Sequence, residues 1–384
     1  MAKNKKMILA LIVLLVLISG KAIWVRCATR NIGTFETEKA DILHRRAYLL
    51  DKVITEPKKL INKFPPGIGE QFQGEWAIYT CSMLSASLVN IAKLYPETKE
   101  ESVLAIDSLI QMVMSPELRK YDHINWGEDP LQTLDGENSH VSYLSLLAWM
   151  MGGYKEMGGD GKYDKLYRSL CSTLNRRLLD SPDFNLETYP GQPYYVPDIL
   201  VAIVALKLYS QQNGGIYNKT VDEWLDNMKK NHITDVNGLI ASVIVEREGE
   251  LYNFIRGSFT ALSCYYLTYV DEEFAHDQYN RFKEQFYKKR PIAGFKEYAY
   301  KSPILAFDID AGPIIFGLSP TGTAFGIGAA TYFEDSKVRR KLLRTAERAG
   351  STVTAKGKSH YLLGNIAIVG EAITLAMRTA TRWE

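Results

Sequence analysis

Asp308 and Asp310 stand one residue apart in FDIDAGPIIFGLSPTGT (residues 307–323), ahead of a Gly-Pro turn and an apolar run. In an extended segment, residues i and i+2 project to the same side. Two carboxylates on one side repel, which raises one pKa and leaves the other group ionised, the division that acid/base catalysis uses. The competing reading is structural, with one aspartate paired to Arg256 and the other binding turn amides. Acids, amides and rings also gather elsewhere. FPPGIGEQFQGEW (64–76) carries Glu75 and Trp76, and HINWGEDPLQTLDGENSH (123–140) carries Trp126, Glu137 and His140. ETYPGQPYYVPD (187–198) carries Tyr189, Gln192, Tyr194, Tyr195 and Asp198. EGELYNFIRGS (248–258) brings Arg256, and KGKSHYLLGN (356–365) brings His360.

Rings beside carboxylates, glycines and prolines suit a rigid concave site, in which rings stack on a ligand and acids orient it or react. The expected catalytic pair is Asp308 or Asp310 with Glu137 or Asp198. His140 and Tyr189 would orient the substrate, and Trp76, Trp126 and Tyr195 would stack on it. Glu75, Gln192, Tyr194, Arg256 and His360 complete the expected lining. Each has a plainer reading. Asp198 follows Pro197 and suits a helix N-cap, Ser139 could cap a helix that begins at His140, and Glu75 could be a first-turn acid. No step requires a metal or cofactor.

Positioning these loops falls to helices. Past residue 35 the pattern is helical nearly throughout; the main strand candidate runs from Ile240 to Tyr252. Apolar stretches alternate with charged ones. Tyr79–Leu94, Val141–Met151, Ile199–Tyr209, Phe259–Val270, Thr321–Phe333 and Tyr361–Ala380 are apolar. Thr98–Met114, Lys162–Leu179, Val221–Lys230, Glu272–Lys289 and Ser336–Ala349 carry the charge. The charged helix Thr37–Lys63 is left to pair with the last apolar one. A repeat of about 60 residues marks a recurring unit that cannot bury its apolar face alone. The expected fold is therefore all-α, an (α/α)6 toroid of six inner and six outer helices. An open solenoid and a two-domain bundle are the alternatives. In the toroid, the loops entering the inner helices converge on one mouth, and those loops hold the residues above.

Composition narrows the partners. With 46 basic against 44 acidic residues there is no field for a polyanion, so nucleic acid is not expected. The four cysteines form no CxxC and no zinc or haem spacing. Lys3, Lys5 and Lys6 precede an unbroken apolar run from Met7 to Ile18, the pattern of an export signal or, continued to Val25, of a membrane anchor. The organisation expected is 1–27 signal peptide or anchor, 28–64 linker and N-terminal outer helix, and 65–384 toroid. The domain would stand in the cell envelope, outside the cytoplasm.

GENSHVSYLSLLAWMMGG and YPGQPYYVPDILVAIVALKLY, with the helical repeat, resemble two toroidal groups. One is the six-hairpin glycosidases, in which the toroid carries carboxylate chemistry in a central cleft. The other is the linalool dehydratase/isomerase-like family, exported toroids with a small apolar cavity. His140 falls where the second family has an active-site histidine. Tyr189 and Asp198 fall where that family has two cavity cysteines, a departure that suits a more polar substrate. The leading expectation is an enzyme using carboxylate acid/base chemistry on a carbohydrate or similarly hydroxylated substrate, small molecule or oligosaccharide. A lyase or isomerase acting on a terpenoid or lipid alcohol is the first alternative. A glycan-binding surface protein without catalysis is the second.

Overall fold

The computed structural model describes residues 2–383 apart from 236, 237, 302, 363 and 365–367. The chain opens on α1 (Ala2–Ala28), α2 (Phe35–Val53) and the single-turn α3 (Pro57–Ile61). Helical hairpins follow. The first joins α4 (Gly69–Leu94) to α5 (Lys99–Val113), with α6 (Pro116–Trp126) laid back across α4. Next come α7 (Val141–Glu156) with α8 (Asp164–Asp180), and α9 (Val196–Gln212) with α10 (Asn218–Asn231). Then α11 (Gly257–Leu267) pairs with α12 (Glu272–Phe286), α13 (Pro320–Tyr332) with α14 (Ser336–Gly350), and α15 (Ile368–Arg378) closes the series.

Sequence character sorts these helices into layers. α7 and α9 are apolar on every side and bury nearly all their residues, as helices surrounded by others must. α10 instead buries one stripe, Val221, Trp224, Leu225 and Met228, at the i, i+3, i+4, i+7 spacing of a helix covering a core. The inner helices touch in a closed cycle: α4, α7, α9, α11, α13, α15 and back to α4. The chain is an (α/α)6 toroid.

The ring closes through charge as well as packing. α2 lies against α15, and its buried Glu38 accepts from Arg339 of α14 at 2.5 Å and from Arg378 of α15 at 2.7 Å. Asp41 accepts from Arg45 and Arg378, and Arg45 reaches Glu371 at 3.5 Å. Removing one member of such a buried network strands a charge, at a cost of about 3–5 kcal/mol. The helix expected to return from the N-terminus is thus tied to the last hairpin.

Short strands decorate the loops. β1 (Tyr194–Tyr195), β2 (Val243–Arg247) and β3 (Glu250–Phe254) make a three-stranded sheet, with β2–β3 falling on the strand candidate. β4 (Tyr287–Lys288) pairs with β5 (Gly294–Phe295), β6 (Leu305–Asp308) with β7 (Gly312–Ile315), and β8 (Thr352–Ala355) with β9 (Lys358–Tyr361). Two of these pairs directly bear on the site. In β6–β7, Asp308 pairs with Gly312 and Leu305 with Ile315; this hairpin precedes α13. β8–β9 follows α14 and turns through Lys356 and Gly357, both at positive φ, as a tight hairpin requires.

Candidate functional site

A cavity of about 1050 Å³ lies at the end of the ring where the inner helices begin. Most of its wall is apolar, with Phe72, Trp76, Phe259, Leu262, Phe325 and Ile373 among the lining. Four carboxylates interrupt that wall: Glu75 on α4, Asp198 in the first turn of α9, Asp310 in the β6–β7 turn and Glu371 on α15.

Glu75 and Asp198 are held by neighbouring hydroxyls. Tyr79, one helical turn after Glu75 and so on the same face, donates to Asp198 Oδ1 at 3.1 Å. Thr188 donates to Asp198 Oδ2 at 2.8 Å, and Tyr189 donates to Glu75 Oε2 at 3.1 Å. The N-cap of α9 is Tyr195, so Asp198 is not spent on capping; its carboxylate faces the cavity. Behind Tyr189, its hydroxyl meets Ser142 at 3.3 Å and Ser142 meets Tyr121 of α6 at 3.3 Å. Since Tyr189 gives its proton to Glu75, Ser142 donates to Tyr189 and Tyr121 to Ser142. The chain points its donors at one carboxyl.

Burial separates the two acids. Desolvation, reinforced by the charges of Asp198 and Asp310, pushes Glu75 up to about 8, only partly offset by the Tyr189 hydroxyl. Asp198 is also raised by burial, but the Thr188 and Tyr79 hydroxyls stabilise its ionised form and hold it at about 6. At neutral pH Glu75 is mainly protonated and Asp198 mainly ionised. One carboxyl can give a proton and the other can take one, inside a single apolar cavity.

The aspartates of residues 307–323 take different roles. Asp308 Oδ1 accepts from Arg256 at 2.7 Å and from the amides of Asp310 and Ala311, both at 2.9 Å. Burial acts to raise Asp308, but the Ala311 amide and Arg256 outweigh it and keep its carboxyl below the ordinary range. That is the structural role, and it holds the hairpin turn shut. Asp310 turns into the cavity while keeping a 3.3 Å contact to Arg256, and burial raises its pKa. Arg256 itself lies behind the wall, stacked on Phe259 and bonded to the fully buried Glu297 at 2.9 Å.

Of the residues singled out in the sequence, the cavity thus gathers Glu75, Trp76, Tyr189, Gln192, Tyr195, Asp198 and Asp310. Asp308 and Arg256 stand behind it. His140 caps α7 in a left-handed conformation (φ 48°) that sets its ring between Asp122, 2.5 Å from Nδ1, and Glu128, 3.1 Å from Nε2. It is fully buried with both nitrogens engaged, and it fastens the second loop to α6. Trp126 tilts against that imidazole, 5.2 Å between ring centres, and Glu137 is exposed on the same loop. Tyr194 lies on β1 and bonds Glu246, and His360 stacks on Tyr48 at 4.3 Å. None of these five lines the cavity, and Asn365, which ends the KGKSHYLLGN stretch, lies outside the described residues.

Tyr79, Thr188 and Glu371 belong to the wall and escaped the sequence reading. Two left a signal there. Tyr79 is four residues from Glu75, hence on its face of the helix, and Glu371 is the lone acid in the apolar IVGEAITLAM.

Two comparisons bear on this arrangement. A family model described as linalool dehydratase/isomerase matches residues 195–365, a span that includes Tyr195, Asp198, Arg256 and Asp310 but not Glu75, Tyr79 or Tyr189. The crystal structure of an unsaturated glucuronyl hydrolase specific for heparin is similar in fold, with a TM-score of 0.51 and 12% identity. That likeness covers 88% of this chain and 96% of the hydrolase. Among curated proteins none matches the sequence. The structural likeness is one of fold, and the family match lies within residues 195–365.

Proposed function

We propose that this toroid is a lyase or isomerase that removes or relocates the hydroxyl of a largely apolar alcohol. The observation that carries the reading is the protonation split between Glu75 and Asp198 on one apolar wall. Protonated Glu75 donates to the substrate hydroxyl as the C–O bond breaks and water leaves. Asp198 removes a proton from the adjacent carbon, and the electrons of that C–H bond form the new C=C bond. The products are an alkene and water, with the two carboxyls exchanging protonation states; proton return through the cavity restores them. Returning the hydroxyl at an allylic carbon instead gives isomerisation. Tyr79 and Thr188 keep Asp198 ionised and oriented, and Trp76, Phe259 and Tyr195 hold the carbon skeleton. The family match supports this class, and the apolar lining supports a substrate with few polar groups.

The test is turnover of a panel of terpenoid and straight-chain allylic alcohols by the purified protein, with products separated by gas chromatography. Glu75→Gln and Asp198→Asn should each lower kcat by about 10²–10⁴ while thermal unfolding stays cooperative. Undiminished turnover in both variants would remove these residues from the mechanism. A second reading, glycoside hydrolysis, is favoured by Asp310 as a further carboxyl beside the Trp76 and Tyr195 rings. Oligosaccharides in the same panel distinguish it, since they would then be cleaved and the alcohols left unchanged.

A further inference from the structure

The N-terminal helix and the cavity mouth point the same way. Along α1, Trp24 donates to Glu347 of α14 at 3.1 Å and Lys21 bonds Ser351, just past the end of α14. Further on, Gly33 lies beside Arg340. Rising numbers in the N-terminal segment therefore meet falling numbers in α14, so the two run antiparallel. Residues before Lys21 extend beyond the C-terminal end of α14, and at about 1.5 Å per residue they project some 28 Å. Met7, Leu9, Leu11, Ile12, Val13, Leu15 and Val16 on that stretch are exposed apolar side chains.

The end of α14 is also the rim of the cavity, since Arg348, Ala349 and Gly350 line it. Across the mouth stands the β6–β7 hairpin, whose Ile315 and Phe316 line the cavity and are themselves exposed. Ile304, Leu305 and Phe307 are 75%, 77% and 73% exposed, an apolar surface that water alone would not favour in a folded domain. Basic residues border it. The stretch from Tyr287 to Lys301 holds Lys288, Lys289, Arg290, Lys296 and Lys301, and its single acid, Glu297, is buried against Arg256. Lys288 and Lys296 share a second hollow with Lys301, Ile304 and Phe316. An exposed apolar strand face bordered by lysines is what an anionic bilayer surface attracts, through insertion of the apolar side chains and through charge.

We infer that the edge of the mouth formed by the end of α14 and the β6–β7 hairpin rests on an anionic membrane, with α1 crossing the bilayer and the hairpin dipping into its interface as a second contact. The inference is independent of which reaction the cavity performs. It makes the rim between Phe316 and Ala349 the route by which a membrane-dissolved molecule reaches Glu75 and Asp198.

The test uses the full chain reconstituted into phosphatidylcholine–phosphatidylglycerol vesicles. In a Cys27→Ser background, which leaves only buried cysteines, an environment-sensitive fluorophore is placed at Phe307→Cys or at Lys219→Cys. Lys219 is highly exposed and opens α10, at the opposite end of the ring. The Phe307 probe should shift to the blue and be quenched by lipids spin-labelled in the acyl chain, while the Lys219 probe keeps the emission of a label in water. Adding Lys289→Glu and Lys301→Glu should diminish the quenching, and more so in anionic vesicles than in phosphatidylcholine alone. Equal, water-like emission at both positions would overturn the inference. So would a blue shift at Phe307 that grows with protein concentration without lipid, because a second copy would then cover the hairpin.

Discussion

The Tyr189 hydroxyl lies 3.1 Å from Glu75 Oε2 and, among the described residues, is the hydrogen bond lowering the pKa of a carboxyl that burial drives up to about 8. Ser142 and Tyr121 stand behind it in a line of donors. Tyr189→Phe removes a bond to the ionised form, so Glu75 should titrate higher still, by roughly one unit. If Glu75 is the general acid, the alkaline limb of the pH–rate profile moves up with it and the acid limb stays. A pH–rate comparison of the two proteins checks this, and coincident alkaline limbs would detach Tyr189 from the titration.

For the unaltered protein the same geometry predicts a bell-shaped profile. Activity needs Asp198 ionised and Glu75 protonated, so kcat/KM should rise through about pH 6 and fall through about pH 8. The limbs report the coupled pair, so they describe the site as a whole. Activity that climbs steadily to pH 10 would exclude Glu75 as the acid.

Stability should follow pH with a definite sign. Folded Glu75 keeps its proton up to about 8, whereas the unfolded chain releases it near the ordinary value of 4.5. Between those values the folded state binds more protons, so this group makes stability fall as pH rises. Glu75→Gln abolishes that slope while keeping an acceptor for Tyr189. The variant should gain on the wild type from pH 5 to 8 by roughly 3–5 kcal/mol, then hold a constant lead. Urea unfolding at several pH values measures it; parallel stability curves would contradict the burial of this carboxyl.

The ring of helices was legible because its cause is periodic: apolar and amphipathic helices alternate at a spacing that only a closed double layer satisfies. Conversion of Asp308 and Asp310 into a catalytic pair was suggested by i, i+2 spacing alone. In the structure Arg256 bridges both aspartates: Asp308 is held low in the turn, Asp310 is raised by burial and reaches the cavity, and there it meets a second divided pair, Glu75 and Asp198. Those two lie far apart in sequence, and their pKa values arise from tertiary burial that no local pattern records. His140 illustrates the same limit. Its place ahead of an apolar helix was visible, but the left-handed turn that sends its ring to Asp122 and Glu128 was not. Beyond the Ile240–Tyr252 candidate the short hairpins were missed, because strands of two to four residues carry little periodic signal.

Arg256 gathers Glu297, Asp308 and Asp310, and Glu297 has no exposure to water. Arg256→Met keeps the packing on Phe259 but leaves Glu297 with only the amide and hydroxyl of Ser258. A stranded buried carboxylate costs about 3–5 kcal/mol, so the denaturation midpoint should drop sharply. Glu297→Gln on top of Arg256→Met should recover a good part of it, because the unpaired charge is then gone. A double variant no more stable than the single one would mean that loss of the Asp308 turn, and not the stranded Glu297, sets the cost.

Gly74 couples the fold to the acid. A Cβ there would stand 2.5 Å from Cβ of Tyr121, far inside contact distance, and both atoms sit on helix backbones that cannot swing aside. Gly74→Ala must therefore push α6 away from α4, against a helix-propensity gain of about 1 kcal/mol. Overpacking of this kind costs about 1–3 kcal/mol, so the net change in stability should be modest. The site should register it more strongly, because Tyr121 is the far end of the donor line to Glu75. Separation of α6 breaks the Tyr121–Ser142 contact and leaves Ser142 free to turn from Tyr189. The expected outcome is a small shift in melting temperature together with an upward shift of the alkaline limb, as in Tyr189→Phe. A variant with a lowered melting temperature and an unchanged limb would show that the donor line ends at Ser142.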